Sequence, residues 1–245
     1  MNLARLWDLT TATAASAARP NFGNRHHERR RVPDKPVELY EFELCPYCRI
    51  AREACSALSL DPIIYPCPKG GTRFRPKVKA MGGQLLFPFL VDPNTGLSTY
   101  ESADIAAYLF REYGSGRVPW FLRQRAFAVP TSMIASGFRP RQGGFAVPSR
   151  LPEQLLVLYS YEGSPFCRIA REALCELELP YQLRNVPRKS PDRTDFVAIS
   201  GKMQVPYLMD PNTGRQMFES ADIRRYLYDT YAAHEASGSK PGKRA

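Results

Sequence analysis

A ten-residue stretch occurs twice in this chain, identical at eight positions. Cys45-Pro46-Tyr47-Cys48-Arg49-Ile50-Ala51-Arg52-Glu53-Ala54 returns 119 residues later as Ser164-Pro165-Phe166-Cys167-Arg168-Ile169-Ala170-Arg171-Glu172-Ala173. A repeat spaced by about half of 245 residues favours two similar units over one large domain. In both copies the proline suits a first helical turn, and good helix formers follow it. A strand pattern precedes each copy: Val37 to Phe42 alternates apolar and polar, and Leu156 to Tyr159 holds the same place in the second. The first copy carries two cysteines one helical turn apart. The second has Ser164 where the first has Cys45.

Later landmarks fill in each unit. After the first motif come a strand at Pro62–Tyr65, a helix from Arg73 to Met81 ended by Gly82-Gly83, and a strand over Phe87–Val91. The turn Asp92-Pro93-Asn94-Thr95-Gly96 leads to a short strand near Leu97–Tyr100 and a helix opened by Glu101-Ser102-Ala103-Asp104. The order is β-α-β-α-β-β-α. The second unit repeats it with a helix over Pro165–Leu177, a strand at Tyr181–Arg184, Val205-Pro206-Tyr207-Leu208-Met209, the turn Asp210 to Gly214, and Glu219-Ser220-Ala221-Asp222. These later landmarks are offset by 118, so one residue is missing between Pro187 and Ser200. The expected fold is α/β, with two tandem thioredoxin-like domains, each built on a four-stranded mixed sheet and packed together by pseudo-symmetry.

Charge divides the chain in the same way. Its formal +10 lies outside the repeats: +4 in residues 1–36, +5 in 114–153 and +2 in 232–245, against −1 in 37–113 and 0 in 154–231. The expected organisation is a basic N-terminal arm (1–36), domain 1 (37–113), an aromatic and basic linker (114–153), domain 2 (154–231) and a disordered basic tail (232–245). Nucleic acid is not an expected partner, since it wants a basic face on a folded domain. The arm has apolar residues at 3, 6, 7 and 9, which allow a short amphipathic helix. Its Arg-rich, acid-poor composition is open to three readings: a disordered arm, a docked arm or an organellar address. His26 and His27 have no ligand partner at a useful spacing, so solvation is the expectation. The linker's Trp120, Phe121, Phe127, Phe138 and Phe145 exceed what a flexible spacer carries. Packing within the protein is expected, with a membrane or protein contact through 117–145 as the alternative. The chain has no secretory signal core and no run of 18 apolar residues. A cytoplasmic or organellar protein without a membrane span is therefore expected.

A cysteine at the start of a helix meets unpaired N–H groups and positive potential, which favour thiolate over thiol. Cys45 is expected to be the more exposed and more acidic thiol, and Cys48 to resolve a mixed disulfide. Two inert packing cysteines, or a zinc site with Cys55 and Cys67, are weaker readings, and no metal is expected. Ser164 suits a helix cap, and Cys167 either packs or supports a second site with it. Cys55 and Cys175 read as helix core. Cys67 reads as core or as a loop thiol. Pro88 and Pro206 sit before short apolar strands, where a cis peptide would expose the Phe87 or Val205 backbone to a peptide-like ligand. Glu101-Ser102 and Glu219-Ser220 open helices and make carboxylate sites. Asp104 and Asp222 suit an α-amino group.

Together these residues resemble the thioredoxin-like N-terminal domain of glutathione transferases, and glutaredoxins, over about 37–113 and 155–231. Cys-Pro-Tyr-Cys at 45–48 is similar to a glutaredoxin active site. Tandem proteins built from two such N-terminal domains are the most similar. The resemblance implies glutathione as co-substrate, bound by Tyr47, Phe87, Pro88, Glu101 and Ser102 and by Phe166, Val205, Pro206, Glu219 and Ser220. No all-helical C-terminal transferase domain is expected among these residues, which counts against conventional conjugation. The leading expectation is glutathione-linked exchange with a disulfide or glutathionylated substrate at Cys45 and Cys48. The second domain then binds glutathione or supports the first. A non-catalytic binding or assembly module, or a transferase, is the alternative.

Overall fold

The computed structural model describes residues 3–19 and 23–233, with Leu3, Ala4 and Arg125 described by their backbone alone. Residues 234–245, most of the tail expected to be disordered, lie outside this range. The first half holds β1 (Glu38–Glu41), α2 (Pro46–Ala57), β2 (Ile63–Pro66), α3 (Arg75–Gly82), β3 (Phe89–Asp92), β4 (Leu97–Thr99) and α4 (Ser102–Glu112). The second holds β5 (Leu156–Ser160), α7 (Pro165–Glu176), β6 (Tyr181–Asn185), α8 (Arg193–Ser200), β7 (Tyr207–Asp210), β8 (Arg215–Met217) and α9 (Ser220–Tyr231). Both follow the order β-α-β-α-β-β-α.

The eight strands form one sheet in the order β4-β3-β1-β2-β6-β5-β7-β8. Within each half one pair is parallel (β1 with β2, β5 with β6) and two are antiparallel. The halves meet where β2 runs antiparallel to β6, with Ile63 opposite Gln182 and Ile64 opposite Tyr181. Ile63 and Gln182 are equivalent positions of the repeat, so the pseudo-twofold axis passes between them. Successive residues of a strand face opposite sides. Leu39 accordingly joins the large core shared by both halves, whereas Tyr40 joins a smaller cluster with Phe74 and Val78. The shared core holds Leu58, Leu109 and Leu174 and is covered by α2, α4, α7 and α9. Phe196 of α8 anchors the matching small cluster of the second half.

Residues before each half also correspond. The arm forms α1 (Leu3–Ala17), longer than the expected short helix, and residues 114–153 form α5 (Trp120–Arg123) and α6 (Arg125–Gly137). α1 packs on α7 of the second half, and α6 packs on α2 of the first. Each segment then crosses to the half that follows it. Arg25 still bridges to Arg188 of the second half, and its counterpart Phe145 to Lys69 of the first; beyond the crossing Arg29 meets Gly114 and Ser149 meets Ala232. Gly23 and Gly143 have φ +68° and +66°, and a Cβ there would lie 2.9 Å from the Glu162 Cβ and 2.6 Å from the Glu43 Cβ. Only glycine fits both the conformation and the approach. The sequence carried a sign of this: Arg19-Pro20-x-x-Gly23 recurs as Arg139-Pro140-x-x-Gly143, offset by 120. Of the linker aromatics, Phe121 packs half-buried against the shared core, while Trp120, at 57 % exposed, Phe127, Phe138 and Phe145 stay at the surface, and full burial falls to Leu122, Ala128 and Ala135. His26 and His27 are half-buried rather than solvated, with His26 Nδ1 2.9 Å from Ser59 Oγ.

Buried charge fills the space between the halves. Arg52 Nε donates to Glu162 at 2.9 Å and its Nη1 contacts Glu41. Reciprocally, Arg171 Nε donates to Glu43 at 3.1 Å, and its Nη2 lies 3.0 Å from Glu162. Arg19 forks onto Glu53, and Arg139 onto Glu172 at 2.7 and 2.6 Å. The repeated Arg-x-x-Arg-Glu that follows each cysteine motif is therefore a structural lattice as well as a helix. Each Asp-Pro-Asn-Thr-Gly turn is likewise more than a turn. Asp92 accepts from the Tyr108 and Tyr113 hydroxyls, and Asp210 from Tyr226 and Tyr231, which ties α4 and α9 to the sheet.

Candidate functional site

Cys45 is the N-cap of α2 and receives the Cys48 backbone N–H on its Sγ at 3.3 Å. Pro46 fills the first turn, where a missing N–H costs nothing. The Cys45 pKa is lowered. The largest cause is a hydrogen bond from the Cys48 thiol, which with the Cys48 and Tyr47 backbone N–H groups outweighs burial. Cys48 moves the opposite way, pushed well up by burial and then by its bond to Cys45. One thiol is prepared to ionise and the other to hold its proton. Cys45 is the more exposed of the two, as expected, but only at 5 %, and Cys48 is closed entirely.

Phe87-Pro88 is cis and brings the Phe87 carbonyl to 4.0 Å from Cys45 Sγ. Arg75 lies over the Phe87 ring at 4.8 Å. Glu101, the N-cap of α4, has φ +65°, a conformation that a non-glycine residue holds only where its surroundings impose it. Behind it Ser102 is buried, and among the described residues its hydroxyl has no hydrogen-bond partner. Tyr47 and the Glu101–Ser102 corner meet Leu122, Ala128 and Val129 around a space of only about 60 Å³. Ser132 of α6 donates to the Pro46 carbonyl at 2.7 Å, which fixes this cover to the start of α2. Sequence reasoning missed the cover; the Arg-Pro-x-x-Gly repeat was the available signal.

The second half builds the same frame with different chemistry. Ser164 caps α7 and accepts the Cys167 N–H at 3.3 Å. Cys167 is buried and its pKa is raised, chiefly by burial. Val205-Pro206 is cis, and Glu219 sits at φ +67° before Ser220. Gln204 donates to Glu219 at 2.7 Å, where the first half has Leu86. Phe166, Glu219 and Ser220 border a cleft of about 530 Å³. Ser164, Cys167, Val205 and Pro206 do not line it. Asp222 pairs with Arg225 at 2.7 Å, and Asp104 is exposed at the start of α4. Cys55, Cys67 and Cys175 are buried, and burial raises the pKa of each. Cys175 Sγ donates to the Gly143 carbonyl at 3.3 Å, so it holds the crossover loop. Among the described residues no group of His, Cys, Asp or Glu is arranged to hold a metal. No described helix is long and apolar enough to cross a membrane.

A helix-capping thiol or hydroxyl, a cis-proline strand and a Glu-Ser helix start, repeated on two β-α-β-α-β-β-α units, define a glutathione-related thioredoxin-like protein. The sequence profile of the glutathione S-transferase N-terminal domain matches residues 39–117 and 158–236, and the chain belongs to that family. The glutathione S-transferase-like protein tpcF of Aspergillus fumigatus is 38 % identical over 58 residues. That match covers 24 % of this chain and 26 % of tpcF, so the chain spans about a quarter of that relative's length. Among solved structures, a Bombyx mori glutathione transferase, BmGSTD1, is 28 % identical over 35 % of this chain and 39 % of its own, with a TM-score of 0.31. Leishmania TDR1, described as a trimeric glutathione transferase, is 16 % identical over 85 % of this chain and 70 % of its own, with a TM-score of 0.29.

Proposed function

We propose that the first half is a glutathione-linked thiol–disulfide oxidoreductase. The observation that supports this best is the opposed pair at the start of α2, with the Cys45 pKa lowered and the Cys48 pKa raised. The Cys45 thiolate attacks one sulfur of a disulfide or glutathionylated thiol, and the other sulfur leaves as a thiolate that takes a proton. Cys48 then gives up its proton and attacks Cys45 Sγ, which releases the bound thiol and leaves a Cys45–Cys48 disulfide. Two glutathione molecules reduce that disulfide in turn and leave as glutathione disulfide. The Phe87 backbone faces the reacting sulfur and suits the cysteinyl part of glutathione. Glu101 and Ser102 suit its γ-glutamyl end. Access to that corner requires α5 and α6 to draw back, because their side chains reduce it to about 60 Å³.

The test is reduction of a glutathionylated peptide by the intact chain with glutathione. Cys45→Ser is expected to abolish turnover, and Cys48→Ser to retain the first step while losing the intramolecular one. In parallel, pH-dependent alkylation read by mass spectrometry is expected to place the Cys45 midpoint below about 8.5, that of a free thiol. Turnover that survives Cys45→Ser, or an unshifted midpoint, would overturn the reading. The near-complete burial of Cys45 favours a second reading, a thioredoxin-like binding or assembly module. On that reading the wild-type protein shows no turnover, and partner binding survives Cys45→Ser.

A further inference from the structure

A helix at the surface of a globular protein ordinarily turns polar side chains outward. α6 does not. Its inner side, with Ala128, Ser132 and Ala135, is buried against the rest of the protein. On its outer side, no exposed position among the described side chains of α6 is polar. Phe127, Pro130, Ile134 and the C-cap residue Phe138 follow one another at helical spacing, with Met133 beside them. Met133 and Ile134 are 56 % and 58 % exposed. α5 extends the strip, since the exposed ring of Trp120 lies 5.1 Å from that of Phe127.

α1, the counterpart of α6 about the pseudo-twofold axis, packs alongside it. At the offset of 120, Trp7 corresponds to Phe127, and it is 71 % exposed. Both tryptophans of the chain therefore stand out from this one layer. After Asp8, α1 carries no charged side chain, and Asp8 itself is held by Arg224 at 2.8 Å and Arg139 at 3.1 Å. The charge at the rim has one sign. Between Glu112 and Glu153 the chain has six arginines and no acid. Arg117, Arg123 and Arg141 are exposed before, between and after the helices of the strip, and among the described residues none of them has an ion-pair partner.

An apolar strip with an arginine rim restricts what can cover it. A second copy of the chain would bring acid-free segments of the same charge together, which opposes association. Residues 234–245 contain no aromatic residue, leucine, isoleucine, valine or methionine to lay against the strip. An anionic lipid surface matches both parts. Tryptophan and phenylalanine favour the boundary between headgroups and acyl chains, and arginines are drawn to anionic headgroups. At 13 residues α6 is too short to cross a bilayer, so it suits a helix lying in the interface. We propose that α5 and α6 dock this protein on an anionic membrane surface. Trp120, Phe127, Met133, Ile134 and Phe138 enter the boundary, and Arg117, Arg123 and Arg141 meet the headgroups. The proposal does not rest on the redox reading, and its test uses a different readout.

The test is flotation of the full chain with vesicles of phosphatidylcholine alone and of phosphatidylcholine mixed with phosphatidylserine. Binding to the mixed vesicles is expected to be stronger by roughly tenfold or more and to weaken as salt is raised. In Trp7→Phe, which leaves Trp120 as the sole tryptophan, emission should shift to the blue on mixed vesicles. Met133→Glu with Ile134→Glu, both at exposed positions, should abolish flotation while circular dichroism stays that of the wild type. Arg123→Gln with Arg141→Gln should weaken binding to the mixed vesicles several-fold. Equal binding to the two vesicles, no binding at millimolar lipid, or binding unmoved by the double glutamate variant would each overturn the proposal. A dimer in sedimentation equilibrium that the same variant dissolves would also overturn it, by giving the face to a second copy. The comparison of vesicles on the wild-type chain decides the matter even where a variant fails to fold.

Discussion

Glu41 and Glu43 show how far two similar residues can be separated by their neighbours. Both are fully buried at the end of the first strand. Burial alone raises a carboxyl pKa. For Glu43 this is outweighed by Arg171, Arg52 and Arg168, which hold it at about 2. For Glu41 burial wins, Arg52 offsets only part of it, and the carboxyl is pushed up to about 7. The depressed Glu43 value means that its contribution to stability is complete above 4.5 and is lost as pH falls towards 2. The raised Glu41 value works the other way, and its contribution declines as pH rises from 4.5 through 7. Glu43→Gln is therefore expected to cost about 3–5 kcal/mol at pH 7, since it leaves buried guanidinium groups without their counter-charge. It should also flatten the acid limb of a stability–pH curve measured by urea unfolding. Glu41→Gln is expected to cost less, because near neutrality its carboxyl already carries its proton part of the time.

At the scale of elements, the helix that differs most from expectation is α6. Its Ser132 bond to the Pro46 carbonyl and the side chains of Ala128 and Val129 close the corner beside Tyr47. Loosening this cover should open the redox pair. Leu122→Ala with Ser132→Ala is expected to raise the alkylation rate of Cys45 several-fold at constant pH, with a fall in stability of about 2–5 kcal/mol from the lost leucine. An unchanged rate would show that the cover does not limit access. The strands and helices of each half were legible because their signals are local: alternation before Cys45, a proline in the first turn of α2, glycines after α3. The helix caps at Cys45 and Ser164 were legible for the same reason. What α1 and α6 cover was not, because that is set by contacts more than 80 residues apart, such as Ser132 with Pro46. Nor were the roles of Arg52 and Arg171, since an arginine on a helix ordinarily faces water. Here both are 1 % exposed, and each reaches a carboxylate of the other half, Glu162 for Arg52 and Glu43 for Arg171, as well as partners in its own.

Across the whole molecule, the continuous sheet and shared core make the two halves one cooperative body. Leu58 and Leu109 belong to the same cluster as Leu174 and Leu227. Unfolding in urea is expected to give one transition, coincident by far-ultraviolet circular dichroism and by near-ultraviolet signals from the tyrosines of either half. Two separated transitions would contradict the shared core. The outer edges of the sheet, β4 and β8, are three residues each, which limits pairing with other chains. The longer strands β2 and β6 are spent on each other.

That central seam is reciprocal. Across it Ile63 faces its own repeat counterpart, Arg52 reaches Glu162, and Arg171 reaches Glu43. This is the self-complementary pattern by which two identical subunits meet about a twofold axis. Because both units lie in one chain, the seam is reciprocal while the reactive positions need not match. Gly23 and Gly143, Glu43 and Glu162, and Arg52 and Arg171 are alike, while Cys45 and Ser164 differ. The shared frame thus admits different chemistry at its two helix starts, while neither half can alter the seam alone.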